Sequence, residues 1–78
     1  GPAFTSATTS ADGLKVIRRF VPEAFQHLKP GGWLVLEIGH DQASQVEEIL
    51  RSSGFADIEV KTDLSGVARF PFARRPIA

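Results

Sequence analysis

Residues 33–38 read Trp-Leu-Val-Leu-Glu-Ile, and this stretch decides the fold class of the chain. Apolar residues occupy five of its six positions, so a strand formed here would be apolar on both faces. Strands of this composition are typical of parallel sheets that helices cover on both sides. We therefore predict that 33–38 is an interior strand of an α/β fold, buried on both faces.

The residues before this strand predict a helix that begins near Asp12 or Gly13. From Leu14 to Leu28, apolar residues recur at three- and four-residue steps, which places them on one helical face. Pro22 lies inside this segment and has no N–H to donate, so the helix is expected to kink there or to divide into two. The Lys-Pro-Gly-Gly stretch at 29–32 ends it.

A second helix is predicted at about 42–53, where apolar residues again recur at helical spacing. Gly54 stands where a left-handed residue commonly ends a helix. Phe55 follows at the position that packs back onto Leu50 in a Schellman ending. This is the most sharply defined boundary in the sequence.

Two further strands follow the second helix. Residues 57–61 alternate between apolar and charged, and 67–73 form a last strand beyond a short turn. A strand–helix–strand unit gives two parallel strands, and the closing strand then inserts between them and runs opposite to both. The sequence thus predicts a three-stranded mixed sheet in the order first-third-second, with two or three helices. Pro71 cannot donate to a ladder, so the last strand either bulges there or lies less centrally.

The ends of the chain are predicted to lie outside this unit. Residues 1–12 are small and polar without periodicity, and we interpret them as a flexible lead-in, with Gly1-Pro2 either native or tag-derived. Residues 13–75 form the domain, and 76–78 are a tail. The outer edge of the 33–38 strand has no predicted neighbour, so the chain is expected to homodimerise through this open edge.

The composition excludes several classes of function. Nine basic and nine acidic residues give zero net charge, which does not favour binding to nucleic acid. Without cysteine there are no disulfides or thiolate metal sites, and the two histidines, His27 and His40, flank a strand at opposite ends. No apolar run approaches a membrane span and no signal peptide opens the chain, so a cytoplasmic protein without membrane contact is expected.

Three motifs resemble one methyltransferase family. They are Asp-Gly-Leu at 12–14, His-Leu-Lys-Pro-Gly-Gly at 27–32 and Leu-Glu-Ile-Gly-His-Asp-Gln at 36–42. Together they make the chain similar, over about 13–75, to the HemK family of release-factor glutamine methyltransferases. The resemblance implies the C-terminal part of a Rossmann-like class I fold, whose last strand is antiparallel. It also implies methyl transfer from S-adenosylmethionine to a glutamine side-chain nitrogen in the Gly-Gly-Gln loop of peptide-chain release factors.

The chain departs from this family in what it lacks. The family's Gly-rich cofactor loop and its Asn-Pro-Pro-Tyr motif have no counterpart here, and Pro71 stands where the family tends to have a β-branched residue. The resemblance therefore implies that S-adenosylmethionine serves the parent enzyme, whereas this chain holds no catalytic or cofactor-binding residue and is inactive alone. The alternative is a standalone, non-catalytic α/β module that self-associates or binds a protein partner.

Three residues are candidates for a substrate pocket: Glu37, His40 and Gln42. They lie at the carboxyl end of the 33–38 strand, and open α/β sheets bind ligands beyond that end. The competing interpretation is structural. Glu37 would then accept hydrogen bonds from neighbouring loop N–H groups or lie at an exposed edge. His40, Asp41 and Gln42 would cap the second helix.

The remaining aromatic and basic residues are assigned no site. The aromatic side chains, Trp33, Phe55, Phe70 and Phe72, are interpreted as core rather than as a platform for stacking bases. The arginines are scattered and balanced by acids, so we interpret them as solvated.

Overall fold

The computed structural model describes residues 1–8, 13–39 and 41–77. Two helices and four strands form within them. In chain order they are β1 (Phe4–Thr8), α1 (Gly13–His27), β2 (Trp33–Glu37), α2 (Ala43–Ser52), β3 (Ala56–Thr62) and β4 (Ala68–Arg74).

The four strands form one mixed sheet in the order β1-β2-β4-β3. β1 runs parallel to β2, whereas β4 lies between β2 and β3 and is antiparallel to both. The predicted order of the last three strands, with the final one inserted, is therefore confirmed. The predicted number of strands is one too few.

The additional strand comes from the segment interpreted as a lead-in. Phe4 to Thr8 pair with Trp33 to Glu37 in a parallel register, so the prediction of irregular structure is wrong for these five residues. Thr5 and Ala7 face the helices but are polar or small, so no hydrophobic alternation marks this strand. The outer edge of β2 is covered by β1, and homodimerisation through that edge, as predicted, is not available.

Helix α1 runs from Gly13 to His27 without dividing at Pro22. Val21 and Ala24, on either side of the proline, are buried against the sheet, while Pro22 itself is exposed. Burial of this face compensates for the one hydrogen bond that the proline cannot make. Asp12, near which the helix was predicted to begin, lies outside the described residues.

The predicted end of the second helix is confirmed. Gly54 has a φ of 99°, and its N–H donates to the Arg51 carbonyl at 3.1 Å. The Phe55 N–H reaches back to the Leu50 carbonyl, also at 3.1 Å, which completes a Schellman motif. The Phe55 ring is buried and packs edge-on against Phe25 of α1, with ring centroids 5.2 Å apart.

Both helices cover the same face of the sheet. Leu34 and Leu36 of β2 point into a single core with the helices, whereas Trp33 and Val35 are half-buried and Glu37 is exposed. The prediction that this strand is buried on both faces is therefore wrong within the described residues. Both crossovers move in the same direction across the sheet, and right-handed connections then place both helices on one side.

Pro71 occupies the central strand β4 and is buried. The paired register of β2 and β4 ends at Val35–Phe72, and Phe72 directly follows the proline in the chain. On the other side Pro71 pairs with Val60, and the register of β3 and β4 shifts both before and after this position. β4 is thus a central strand, and its pairing is irregular around Pro71, which has no N–H to donate.

Candidate functional site

A small cleft lies where β1 and β2 end. Because the two strands are parallel and in register, their carboxyl ends meet at one edge of the sheet, where ligands bind in open α/β folds. The cleft has a volume of about 220 Å³. Its lining residues come from three strands: Ser6, Ala7, Thr8, Val35, Leu36, Glu37 and Phe70.

The polar groups of the cleft share one face of the sheet. Thr8 pairs with Glu37, and Ser6 lies two residues earlier on the same side of β1. The carboxylate of Glu37 accepts hydrogen bonds, and the two hydroxyls both donate and accept. With the half-buried ring of Phe70 as an apolar wall, this lining suits a small planar group that carries N–H donors, such as a side-chain amide.

Only one of the three pocket candidates is found in the cleft. Glu37 ends β2 and lines it. The Gln42 side chain instead turns back towards the strand, and its Oε1 accepts a hydrogen bond from the Gly39 N–H at 3.1 Å. Gln42 occupies the N-cap position of α2, as the capping interpretation has it, but its side chain makes no hydrogen bond to the first turn of the helix. His40 lies outside the described residues.

Three lining residues were not candidates from the sequence. Ser6 and Thr8 belong to β1, which carries no hydrophobic signal, and Phe70 was assigned to the core. The alternation of Phe70, Phe72 and Arg74 along β4 was the available signal, because it places these three side chains on the face opposite buried Ala73.

Two arginines interpreted as solvated instead bind main-chain carbonyls, Arg74 in the turn before β2 and Arg75 at the C-terminal end of α1. Arg74 Nε donates to the Gly31 carbonyl at 3.1 Å, and the guanidinium lies 5.6 Å from the Trp33 ring centroid. Arg75 Nη1 donates to the carbonyls of Phe25 and Leu28, at 2.8 and 2.6 Å. These contacts fasten the end of β4 to the C-terminal end of α1.

Asp63 organises the hairpin between β3 and β4. Its carboxylate accepts hydrogen bonds from the Val67 N–H, the Ser65 N–H and hydroxyl, and Arg69 Nε at 2.6 Å. These hydrogen bonds, led by those from Val67 and the Ser65 hydroxyl, lower the pKa of Asp63 from 3.8 to about 2. The arrangement stabilises a turn and accounts for Arg69, which was also interpreted as solvated.

The other described parts of the chain contain no second candidate site. A larger cleft of about 380 Å³ lies along α1 and α2, with Arg18, Gln45 and Glu48 among its lining residues, away from the strand ends. Across residues 1–8, 13–39 and 41–77, no group of three His, Cys, Asp or Glu side chains could hold a metal ion. Neither described helix is long and apolar enough to cross a membrane.

Comparison with known proteins identifies relatives of this segment. No family model matches the chain. Release factor glutamine methyltransferase from Koribacter versatilis is 41% identical over 64 residues, covering 82% of this chain and 22% of that protein. The enzyme of the same name from Burkholderia pseudomallei is 44% identical over 69 residues, covering 88% of this chain and 24% of its own length. The chain thus spans about a quarter of the length of these relatives.

A solved structure supports the same relationship. The protein-(glutamine-N5) methyltransferase (release factor-specific) of Alicyclobacillus acidocaldarius superposes with a TM-score of 0.71 at 28% identity. The alignment covers 96% of this chain and 50% of that structure. Sequence identity near 40% and a shared fold over nearly every residue lead to one conclusion: the chain belongs, as a segment, to the release factor glutamine methyltransferase family.

Proposed function

We propose that this chain is the C-terminal, substrate-side part of an enzyme that methylates a glutamine of peptide-chain release factors in the cytoplasm. The observation that supports this proposal most strongly is the 41–44% sequence identity, over most of the chain, to release factor glutamine methyltransferases. The proposed reaction transfers a methyl group from S-adenosylmethionine to the side-chain nitrogen of glutamine, in the Gly-Gly-Gln loop of the release factor. The chain alone, about a quarter of its relatives' length, is proposed to be inactive.

The cleft at the end of β2 supports a contribution to substrate binding. A glutamine side chain ends in a planar amide with two N–H donors, and the Glu37 carboxylate is an acceptor at the cleft. A carboxylate that accepts an amide N–H holds the amide in a fixed orientation, with a charge-assisted hydrogen bond. The Phe70 ring would pack against the flat face of the same group. Glu37 therefore acts in this proposal by positioning the substrate.

The cleft at the end of β2 does not fit S-adenosylmethionine. The cofactor is a drug-sized molecule, and sites for such molecules usually enclose roughly 300–1,000 Å³. The cleft measures about 220 Å³ and offers hydroxyls, a carboxylate and an aromatic ring, but no glycine-rich loop. We therefore assign cofactor binding to other parts of the parent enzyme.

Methyl transfer by the parent enzyme tests the proposal. The full-length protein is incubated with S-adenosylmethionine and a purified class 1 release factor, and the Gly-Gly-Gln peptide is analysed by mass spectrometry. A mass increase of one methyl group on the glutamine is expected, and the matched control is a release factor with Gln→Ala in that loop. No modification, or equal modification of the control, contradicts the assignment.

The 78-residue chain provides a second measurement. In the same assay, and by titration calorimetry with S-adenosylmethionine, it is expected to show neither methyl transfer nor binding. Tight cofactor binding by this chain would disprove the assignment of the cofactor site to the rest of the enzyme. It would leave the assignment of the family unaffected.

A further inference from the structure

Arg69 lies where three parts of the candidate site meet. Its side chain joins the hairpin turn, because Nε donates to Oδ2 of Asp63 at 2.6 Å. Its main-chain carbonyl accepts the Ile38 N–H at 2.9 Å, and Ile38 directly follows Glu37, the last residue of β2. Its neighbour in the chain, Phe70, lines the cleft. Arg69 therefore connects the turn with both Glu37 and Phe70.

Arg69 is also the extra residue of a β-bulge. Lys61 pairs with Phe70 and Thr62 pairs with Ala68, so no residue of β3 lies opposite Arg69. A bulge bends its strand and changes the direction of the side chains beside it, and bulges are common next to active sites. The direction of the adjacent Phe70 ring therefore depends on how Arg69 is held.

Pro71 interrupts the pairing of β2 and β4 beside the cleft. The regular register ends at the residue that follows this proline, which has no N–H to donate. The Ile38–Arg69 hydrogen bond fits the same register on the other side of the proline, and this register places Glu37 directly opposite Phe70. Opposed residues of this kind, which exchange no main-chain hydrogen bonds, bring their side chains closest together. The contact with Arg69 thus holds the two strands together beyond the Glu37–Phe70 pair.

The turn in its own right fixes the Asp63 carboxylate. Oδ1 accepts hydrogen bonds from the Ser65 N–H and hydroxyl, at 2.9 and 2.8 Å, and from the Val67 N–H at 3.0 Å. The Arg69 side chain is 38% exposed and does not belong to the buried core. Its replacement should therefore change the position of β4 at the cleft and leave the hydrophobic core in place.

From this arrangement we propose that Arg69 is a positioning residue for the glutamine amide of the substrate. Its contacts with Asp63 and Ile38 set the separation of the Phe70 ring and the Glu37 carboxylate, between which the amide is held in the proposed function. Arg69 does not line the cleft and acts through these two side chains. This role rests on the proposed function, to which it adds the residue that fixes the shape of the cleft.

Steady-state kinetics of the full-length parent enzyme with a class 1 release factor test this role. In Arg69→Ala the amide is less well oriented even when the release factor is saturating, so kcat is expected to fall about five- to tenfold. The KM for the release factor should change less than about twofold, because the other contacts of the protein substrate remain. The KM for S-adenosylmethionine should be unchanged. Arg69→Lys keeps a cationic donor and should recover most of the lost kcat.

A double-variant cycle shows whether Arg69 acts through the Phe70 ring. Phe70→Ala removes the ring, so adding Arg69→Ala should then lower kcat by a smaller factor than it does in the unmodified enzyme. Asp63→Asn is a further variant, which keeps an oxygen acceptor for the turn and replaces the oxygen that binds Arg69 with an amide nitrogen. It should lower kcat in the same direction as Arg69→Ala.

Arg51→Ala is the matched control. Arg51 forms an exposed ion pair with Glu48 on α2, so this variant removes an arginine ion pair away from the strand ends. Its kcat should equal that of the unmodified enzyme. Circular dichroism of each variant establishes that the fold is kept.

The outcomes distinguish this role from the proposed function. If the unmodified enzyme does not methylate the release factor, the proposed function fails and the role of Arg69 fails with it. If the unmodified enzyme is active but Arg69→Ala and Asp63→Asn both retain its kcat, only the positioning role is overturned. The same holds if Arg69→Ala lowers kcat by the same factor in Phe70→Ala, or if it raises the KM for S-adenosylmethionine, which indicates a general loss of structure.

Discussion

The guanidinium of Arg75 closes the C-terminal end of α1, because its Nη1 donates to the Leu28 carbonyl at 2.6 Å. The same nitrogen reaches the Phe25 carbonyl at 2.8 Å, and the guanidinium carbon lies 4.8 Å from the Phe25 ring centroid. The last carbonyls of a helix have no partners within it. A residue that follows the central strand β4 therefore completes a helix that lies about fifty residues earlier in the chain.

Replacing Arg75 should destabilise the fold. Arg75→Ala removes two charge-assisted hydrogen bonds and a cation–π contact, so we expect the free energy of unfolding to fall by about 2–3 kcal/mol. Urea denaturation followed by circular dichroism measures this. Arg51→Ala is the control, since Arg51 forms only an exposed ion pair with Glu48 and should cost less than about 0.5 kcal/mol. Equal losses from both variants would contradict the role given to Arg75.

Gly54→Ala should destabilise the junction of α2 and β3 for two reasons. The φ of 99° strains any residue with a Cβ, and that Cβ would lie 3.1 Å from the Phe25 ring. Gly66→Ala separates the backbone strain from the steric contact, because Gly66 has a φ of 84° but no atom within 4 Å of the added Cβ. We expect about 1–2 kcal/mol for Gly66→Ala, from backbone strain, and a larger loss for Gly54→Ala. Equal thermal unfolding midpoints would show that contact with Phe25 is unimportant.

The lowered pKa of Asp63 predicts a loss of stability in acid. A carboxyl group whose pKa is lower in the folded state stabilises the fold above its ordinary pKa. That contribution disappears as the pH falls through the folded value. For Asp63 this window runs from about pH 3.8 down to about 2. Unfolding by urea at several pH values should show a smaller decline across this window for Asp63→Asn than for the unmodified chain.

Asp41→Asn is a suitable control for this experiment, because Asp41 is exposed. Its pH profile should match that of the unmodified chain. If Asp63→Asn retained the full acid dependence, the hydrogen bonds to Asp63 would not be the source of the effect.

Gln42 should tolerate one isosteric change but not another. Only its Oε1 is engaged, as acceptor of the Gly39 N–H, so Gln42→Glu keeps the acceptor whereas Gln42→Met removes it. We expect Gln42→Met to cost about 0.5–1.5 kcal/mol of unfolding free energy and to speed exchange of the Gly39 amide proton. Gln42→Glu should preserve the protection of that proton, and loss of protection in both variants would refute this account.

Glu37 should affect catalysis by the parent enzyme. If its carboxylate binds the substrate amide, Glu37→Gln should lower kcat/KM for the release factor about tenfold, the loss of one charge-assisted hydrogen bond. Glu23→Gln is the matched control, since Glu23 forms only an exposed pair with Arg19 on α1. Unchanged kinetics for Glu37→Gln would remove Glu37 from the proposed pocket.

The parts of the fold that were predictable are those that burial and chain geometry determine. β2 and β4 bury Leu34 and Ala73 on the helix side, and connection rules then place β4 between its neighbours. β1 was not predictable, because it is joined to β2 by main-chain pairing that requires no hydrophobic pattern. The partial exposure of Trp33 was not predicted either, since the apolar composition of β2 does not show which face of the strand the helices cover.

The candidate site was predictable only where it follows a recognisable strand end. Glu37 was identified because it ends a hydrophobic strand, and it does line the cleft. Ser6 and Thr8 were not, because their role depends on the position of β1 beside β2. Gln42 lies close in sequence, but its hydrogen bond to Gly39 directs the side chain back to the turn.

The insertion of β4 between β2 and β3 has a consequence during synthesis on the ribosome. β2 and β3 are both made before β4 and do not pair with each other, and β3 is joined to the sheet only through β4, the strand that is made later. A nascent chain that has not yet released residues 68–74 from the exit tunnel therefore holds β3 without a partner. Folding of this segment should wait for those residues instead of proceeding strand by strand as they emerge.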